Sequence, residues 1–454
     1  MTSPVRARRV IFPLLLLLWL SINTVFSKIP FDSELEFHNW INYFLVFYIL
    51  VNLIKNSKTI VKYPVFAAFV LVIIGTYQLF LNEPVRSAMV NQNIFAGYLI
   101  MTIPLMFYYF STERVSKYLL CIMSIICLLF TKSVAAICAL LIAFFIVKFK
   151  WRGVLISVFI LMLGICLKIN ESDLLNRYLW WTSTLNIIRD NPVLGTGLGS
   201  FQYVFLKYKQ PGLGSIFAHN YYLQLGTETG IIGLLLFLII IVWCLSNIKN
   251  QYFKIAILAC LIHNIFDYSL FILANGLIFW AIMAVGIMEN RDTSHFFSQE
   301  ISVIMGKKWV KSIYVILIIV VLVYSVNVYK NNLAVRCFFQ GENALLENDL
   351  VLAEKKFTKS INVQNNFYLA HNKLAYVFVK KHSQEHQLDF LNRAVDNLKK
   401  GVKYNPYNGN YYIEISNLYA FLGDKKLSGK YLSKAILYNP SKSKHYLKAR
   451  IAVE

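Results

Sequence analysis

Charge is scarce in this chain. Only 15% of its 454 residues are Asp, Glu, Lys or Arg, while 57% are hydrophobic and the mean hydropathy is +0.54. Soluble domains carry about 25% charged residues, so a soluble enzyme fold is excluded for the first three quarters, and the composition is that of a polytopic membrane protein. The deficit falls on the acids: 23 Asp and Glu face 45 Lys and Arg, a formal net charge of +22. In a soluble protein that excess would point to nucleic acid. In a membrane protein basic residues gather in cytoplasmic loops and beside anionic lipid, and nucleic-acid binding is set aside. The seven cysteines include no CxxC pair, are odd in number and sit mostly inside apolar runs. They support neither a zinc site nor a disulfide framework and read as small hydrophobes.

What is present is a series of apolar stretches, at about 10–26, 39–54, 64–81, 94–110, 118–130, 134–147, 153–168, 231–247, 255–270, 271–288 and 310–328. They predict about 11 transmembrane helices, several short enough to need flanking aromatic and lysine residues to complete the crossing. The first follows Arg6, Arg8 and Arg9 and reads as an anchor, because no small-x-small cleavage site comes after it. With the N-terminus in the cytoplasm, sixteen basic residues fall in the inner loops, among them Lys55, Arg114, Lys148, Arg152, Lys254 and Arg291. The short outer loops hold Lys28, Arg86 and Lys132 alone. That asymmetry sets the orientation and places two large segments outside, 169–230 and everything after 328. The expected organisation is therefore N-terminal transmembrane helices over 1–168, a large outer loop over 169–230, further transmembrane helices over 231–328, and a polar helical domain over 329–454.

The last of these repeats. Lys403-Tyr-Asn-Pro406 and Leu437-Tyr-Asn-Pro440 lie 34 residues apart, each closing an amphipathic helix that carries Ala394 or Ala435. The later unit, with Asn417-Leu418-Tyr419, Gly423, Tyr431 and Ala435, resembles the tetratricopeptide pattern of paired helices. An earlier unit with Ala353, Phe357 and Asn366 fits if 381–390 holds a short insertion. About three such repeats make a small α-solenoid, either a solvated cap or a surface for a protein partner.

An outer loop of about sixty residues exceeds an ordinary connection. It is rich in Trp180, Trp181, Tyr203, Tyr208, Tyr221 and Tyr222 and holds equal numbers of acids and bases, so it folds back on the membrane face rather than remaining disordered. Gly195-Thr-Gly197-Leu-Gly199 is not a nucleotide loop, because no βαβ unit surrounds it; the glycines serve a tight turn after Pro192. Ala218-His219-Asn220 enters a helix that runs through Glu228 and Gly230 into the next span. His219 shares its segment with Arg177, Arg189, Asn220 and Glu228, which raises it above a lone interfacial histidine. His263 and Asp267, four apart in a span, are expected on one helix face. They act there either as a packing pair or as the lining of a cavity near the outer end.

The order Arg177-Tyr-Leu-Trp-Trp181, Asp190-Asn-Pro192-Val-Leu-Gly195-Thr-Gly197-Leu-Gly199-Ser-Phe201, His219-Asn220-Tyr-Tyr-Leu223 and Glu228-Thr-Gly230-Ile-Ile-Gly233 resembles the O-antigen ligase and polymerase superfamily. Asn91-Gln-Asn93-Ile-Phe-Ala96-Gly-Tyr-Leu99, followed by Pro104, looks like the same family's earlier outward-facing element. The resemblance implies a C-class glycosyltransferase architecture in a bacterial inner membrane, N-terminus cytoplasmic and C-terminal domain periplasmic. It implies transfer of a glycan from an undecaprenyl diphosphate carrier to an acceptor hydroxyl, with no metal and no cofactor. Ligases of lipopolysaccharide, repeat-unit polymerases and protein O-oligosaccharyltransferases all share it, so the acceptor is a lipid, a glycan or a protein. On this reading Arg177 holds the diphosphate through its bidentate fork and His219 takes or orients the acceptor's proton. Arg86, Asn93, Lys132, Arg189, Asn220, Glu228, His263 and Asp267 complete the candidate substrate-binding set. One departure concerns Thr131-Lys132-Ser133-Val134-Ala135-Ala136: Val134 stands where the family often has arginine, and Lys132 is left to supply the charge. The competing classes are a polytopic transporter and a non-catalytic envelope assembly protein.

Overall fold

The computed structural model describes residues 11–53, 56–110, 115–167, 171–289 and 307–451. Arg6, Arg8, Arg9, Lys55, Arg114 and Arg291, used above for orientation, lie outside the described residues. Every regular element among the described residues is helical. The first seven helices are α1 (Ile11–Val25), α2 (Pro30–Leu53), α3 (Ser57–Phe80), α4 (Gln92–Tyr109), α5 (Val115–Phe130), α6 (Val134–Phe149) and α7 (Trp151–Leu167). The outer segment contributes α8 (Glu171–Asp190) and α9 (Phe201–Tyr208), and the bundle resumes with α10 (Tyr221–Asn247), α11 (Gln251–His263) and α12 (Leu273–Met288). α13 (Lys307–Leu346) then leads into α14 (Leu350–Val363), α15 (Tyr368–Glu385), α16 (Leu388–Tyr404), α17 (Gly409–Phe421), α18 (Lys425–Tyr438) and α19 (Ser443–Ile451).

Each apolar stretch falls on one of these helices. By length and composition α3 and α10 suffice to cross a membrane, and six further apolar helices are shorter. α4 is buried on nearly every side from Ile94 to Met106, as suits a helix that is apolar all round and enclosed by α3, α5, α6 and α11. The surrounding helices turn large apolar side chains outward, Phe66, Phe80, Leu119 and Phe159 among them. An exposed apolar belt of this extent is costly in water and costs nothing in lipid.

Three departures from the sequence reading matter. α11 ends at His263 rather than running to 270, so Asp267 is not on a helix and the expected shared helix face does not exist. Asn264 causes the break: its side chain accepts from the Leu270 N–H at 3.1 Å and donates to Ser269 Oγ at 3.1 Å, offering the chain an alternative to helical bonding. α10 does not run straight into the membrane but kinks at Gly230, where φ is 71° and ψ 177°. Finally, the boundary expected at 328 falls inside α13, which runs unbroken for 40 residues, about 60 Å at the helical rise.

The C-terminal helices pack as successive pairs, α13 with α14, α15 with α16 and α17 with α18. α15 ends at a left-handed His386, inside the stretch 381–390 where an insertion was expected.

Candidate active site

The Gly230 kink frees carbonyls at the end of the first half of α10 and an N–H at the start of the second. The turn Pro192–Gly199 fills both needs: Thr196 N–H donates to Thr227 O at 2.9 Å, Gly197 N–H to Glu228 O at 3.0 Å, and Ile231 N–H to Pro192 O at 2.9 Å. A Cβ on Gly230 would sit 1.8 Å from Val193 O, and one on Gly197 2.1 Å from Ser27 Oγ. Gly230 therefore lets backbone meet backbone and Gly197 lets the turn close on the Ser27 and Ser33 side chains, which is the tight turn the sequence suggested and no phosphate cradle. Glu228 belongs to the same joint. It is 1% exposed, and its carboxylate accepts from Gly199 N–H at 3.0 Å and from Gln224 Nε2 at 3.1 Å. Asn23, which the sequence did not single out, clasps the turn from α1 by donating to Glu228 O and accepting from Leu198 N–H.

The chain then delivers His219. Gln224 Oε1 accepts from Ala218 N–H at 3.1 Å, and the Asn220 side chain caps α10 by accepting from Leu223 N–H at 3.0 Å. Held between them, His219 adopts φ 51°, a left-handed conformation that costs a non-glycine residue roughly 1–3 kcal/mol and that recurs at functional sites. Its ring lies on Trp180 of α8, centroids 4.4 Å apart and planes 18° from parallel, and meets Tyr268 edge-on at 5.1 Å.

Tyr268 belongs to the 264–272 break, and this break is where the candidates converge. Arg177, half-buried on α8 and just under one helical turn before Trp180, donates from Nη1 to the Phe266 carbonyl. Tyr221 N–H, directly after Asn220, donates to Asn264 O and Asp267 O. His263 Nε2 lies 3.8 Å from Asp267 Oδ1, both groups buried. Asn91 donates to the Tyr268 hydroxyl at 2.9 Å and caps α4 through Ile94 N–H, which places Asn93 in the first turn beside the same break. Phe217 stacks on Tyr268 at 4.0 Å. The structure thus gathers Arg177, His219, Asn220, His263 and Asp267, with Asn93 close by. Asn91, quoted above only as part of a motif, joins them with Phe217 and Tyr268, and none of the three was among the candidate site residues.

Four candidates are elsewhere. Arg189 is exposed at the far end of α8, 3.7 Å from Asp190. Arg86 and Lys132 are exposed on the turns after α3 and α5, which the up-and-down order of the helices brings to the same end of the bundle as the break. Glu228 serves the glycine joint. An apolar cavity of about 560 Å³ between α3, α4 and α5, lined by Phe66, Phe69, Phe110 and Leu119, lies toward the opposite ends of those helices and contains none of the candidates. Among the described residues no three His, Cys, Asp or Glu side chains are grouped to hold a metal ion.

A protein-family model, O-antigen ligase, matches residues 118–238. The matched stretch runs from α5 through Arg177, the glycine turn and His219 into α10, and it stops short of the 264–272 break. No curated protein matches the chain. Residues 118–238 are thus similar to the O-antigen ligase family, within a chain whose apolar helices are those of a membrane protein.

Proposed function

We propose, from the O-antigen ligase match over residues 118–238, that the chain transfers a glycan from an undecaprenyl diphosphate carrier to an acceptor hydroxyl. The reaction takes place at the periplasmic face of a bacterial inner membrane, with about eleven spans, a cytoplasmic N-terminus and the C-terminal helices outside. The observation that carries this reading is the meeting of Arg177 and His219 at the 264–272 break. A cation and an imidazole reach it from two separate parts of the outer segment, Arg177 at the Phe266 carbonyl and His219 edge-on to Tyr268. In the reaction the acceptor oxygen attacks the anomeric carbon, the bond from that carbon to the diphosphate oxygen breaks, and the hydroxyl proton passes to His219. The leaving diphosphate takes the electron pair, and Arg177 offsets its charge. His219 is placed for this by Trp180 and Tyr268. His263 and Asp267 support the break from below, and Arg86 and Lys132 supply positive charge on neighbouring outer turns. The C-terminal pairs are read as tetratricopeptide-like repeats.

Purified full-length protein in lipid nanodiscs, given an undecaprenyl diphosphate-linked glycan and candidate lipid, sugar and protein acceptors, is expected to release undecaprenyl diphosphate and extend one acceptor class. Vectorial movement of the lipid-linked glycan without bond cleavage would instead assign a transporter. Reporter fusions at residues 215 and 400 are expected on the same, periplasmic side, and opposite sides would overturn the topology.

A further inference from the structure

The C-terminal helices do not hang free of the membrane half. The edge formed by the turns after α14, α16 and α18 rests on the start of α2 and on α9, and the repeated Tyr-Asn-Pro strings lie against α9. Tyr404, Tyr407, Tyr411 and Tyr438 share one hydrophobic cluster with Phe201, Val204 and Phe205 of α9. The same cluster continues through Leu179 and Trp180 of α8 to Ala218, the residue before His219. At its centre Tyr368, 1% exposed, donates its hydroxyl to Tyr203 of α9 at 2.6 Å, and Tyr203 donates to Asp32 at the start of α2 at 3.0 Å. A second grip lies alongside. Phe31 stacks on Phe367 with centroids 4.1 Å apart, and Glu34 accepts from Gln364 at 2.9 Å and Asn366 at 3.1 Å.

We infer that the C-terminal helices act within the chain as a clamp that positions the His219 loop, with Tyr368 as the central positioning residue. The inference rests on the glycan-transfer reading for its catalytic consequence, and on the packing alone for the clamp itself. Its physical basis is short. His219 is held in a left-handed conformation that its own segment does not favour, so something must over-determine it. Trp180 on one side and Ala218 on the other are both in the cluster that Tyr368 closes. A partner-binding appendage would share no buried cluster with the site. Here the last hundred residues complete the wall behind it, so whatever lifts them off α9 loosens His219.

Two readouts on the full-length protein in nanodiscs separate this from general destabilisation. The first is amide hydrogen exchange over 199–220, which does not depend on the glycan chemistry. The second is transfer kinetics from an undecaprenyl diphosphate-linked glycan. In Tyr368→Ala, exchange over 199–220 is expected to accelerate while that of α4 and α11 does not. The kcat should fall about ten- to a hundredfold, as small displacements of catalytic groups cause, with the KM for donor unchanged. Tyr368→Phe, which keeps the ring in the cluster, should retain most of the kcat. Unchanged exchange over 199–220 in Tyr368→Ala overturns the clamp, and so does faster exchange with normal kcat. If Tyr368→Ala does not accumulate, Tyr203→Ala removes the same contact from the membrane half and carries the same expectations. A wild-type protein with no transferase activity would sink the functional reading and leave the exchange result to decide the clamp.

Discussion

The Trp180 indole lies flat against the His219 imidazole, with centroids 4.4 Å apart and planes within 18°. An indole face is the best side-chain platform for a cation, so this contact stabilises the imidazolium that would form when His219 accepts a proton. It also prevents the ring from swinging away from Tyr268. Because α8 carries both Trp180 and Arg177, one helix sets the positions of the His219 ring and of the Arg177 guanidinium together.

Trp180→Ala is therefore expected to lower transfer more than donor binding. A stacked aromatic pair contributes about 0.5–1.5 kcal/mol beyond its burial, which predicts up to roughly a tenfold loss in kcat, with Trp180→Phe losing less. Steady-state kinetics on both variants check it. Equal loss in the two variants would mean that the flat stack is not what matters.

Arg177→Ala should abolish transfer, and Arg177→Lys should restore it only in part. An ammonium cannot reproduce the two-pronged contact of a guanidinium with a diphosphate, and a hydrogen bond to a charged group is worth about 1.5–3 kcal/mol. Arg177 also bonds the Phe266 carbonyl, so the Lys variant has to satisfy two needs with one nitrogen. Full activity of the Ala variant at normal expression would remove Arg177 from the site.

Gly230→Ala should fail for a different reason, one of folding. Its φ of 71° with ψ of 177° is a glycine conformation, and the added Cβ would lie 1.8 Å from Val193 O. Backbone strain alone costs about 1–3 kcal/mol, before the glycine turn is displaced. Thermal unfolding in detergent should show a clear drop. Gly226→Ala, whose Cβ would meet Ile188 and Leu234 at 3.4 and 3.5 Å, should not. Similar melting of the two variants would contradict the joint described here.

The parts of this molecule legible in its sequence are those with a local signature. Apolar stretches announce helices because lipid-facing and buried surfaces are both apolar. The glycine turn announced itself because positive φ selects glycine, and Arg177 and His219 through the order of their motifs. The break at 264–272 was not legible. Its composition is that of a span, and what ends α11 is the side chain of Asn264 together with Tyr221, a residue 43 positions earlier that donates to Asn264 O. Asn23 was invisible for the same reason, since its partners Leu198 and Glu228 lie some 175 and 205 residues away. The seat of the C-terminal helices on α9 depends on pairs such as Tyr368 and Tyr203, 165 residues apart, which leave no periodic trace.

That seat should respond to pH through Asp32, which lies in the first turn of α2 ahead of the apolar run. Burial pushes its carboxyl up to about 6, against the opposing pull of the Tyr203 and Tyr368 hydroxyls. Its second oxygen, Oδ2, is buried with no hydrogen-bond partner and is the natural place for the proton. A carboxyl whose value is raised in the docked state prefers to be protonated there. Docking is therefore firmest below the ordinary carboxylate value of 3.8, weakens as pH climbs from there through about 6, and is level above that. Glu34, raised by burial beside Gln364 and Asn366, acts in the same direction. Amide exchange over 364–368, corrected for the intrinsic rate, should be slower at pH 5 than at pH 7.5. Asp32→Asn should remove most of that difference and Asp32→Asn with Glu34→Gln the remainder. If Asp32→Asn leaves the pH dependence intact, the contact between Tyr203 and Asp32 is not what the proton controls.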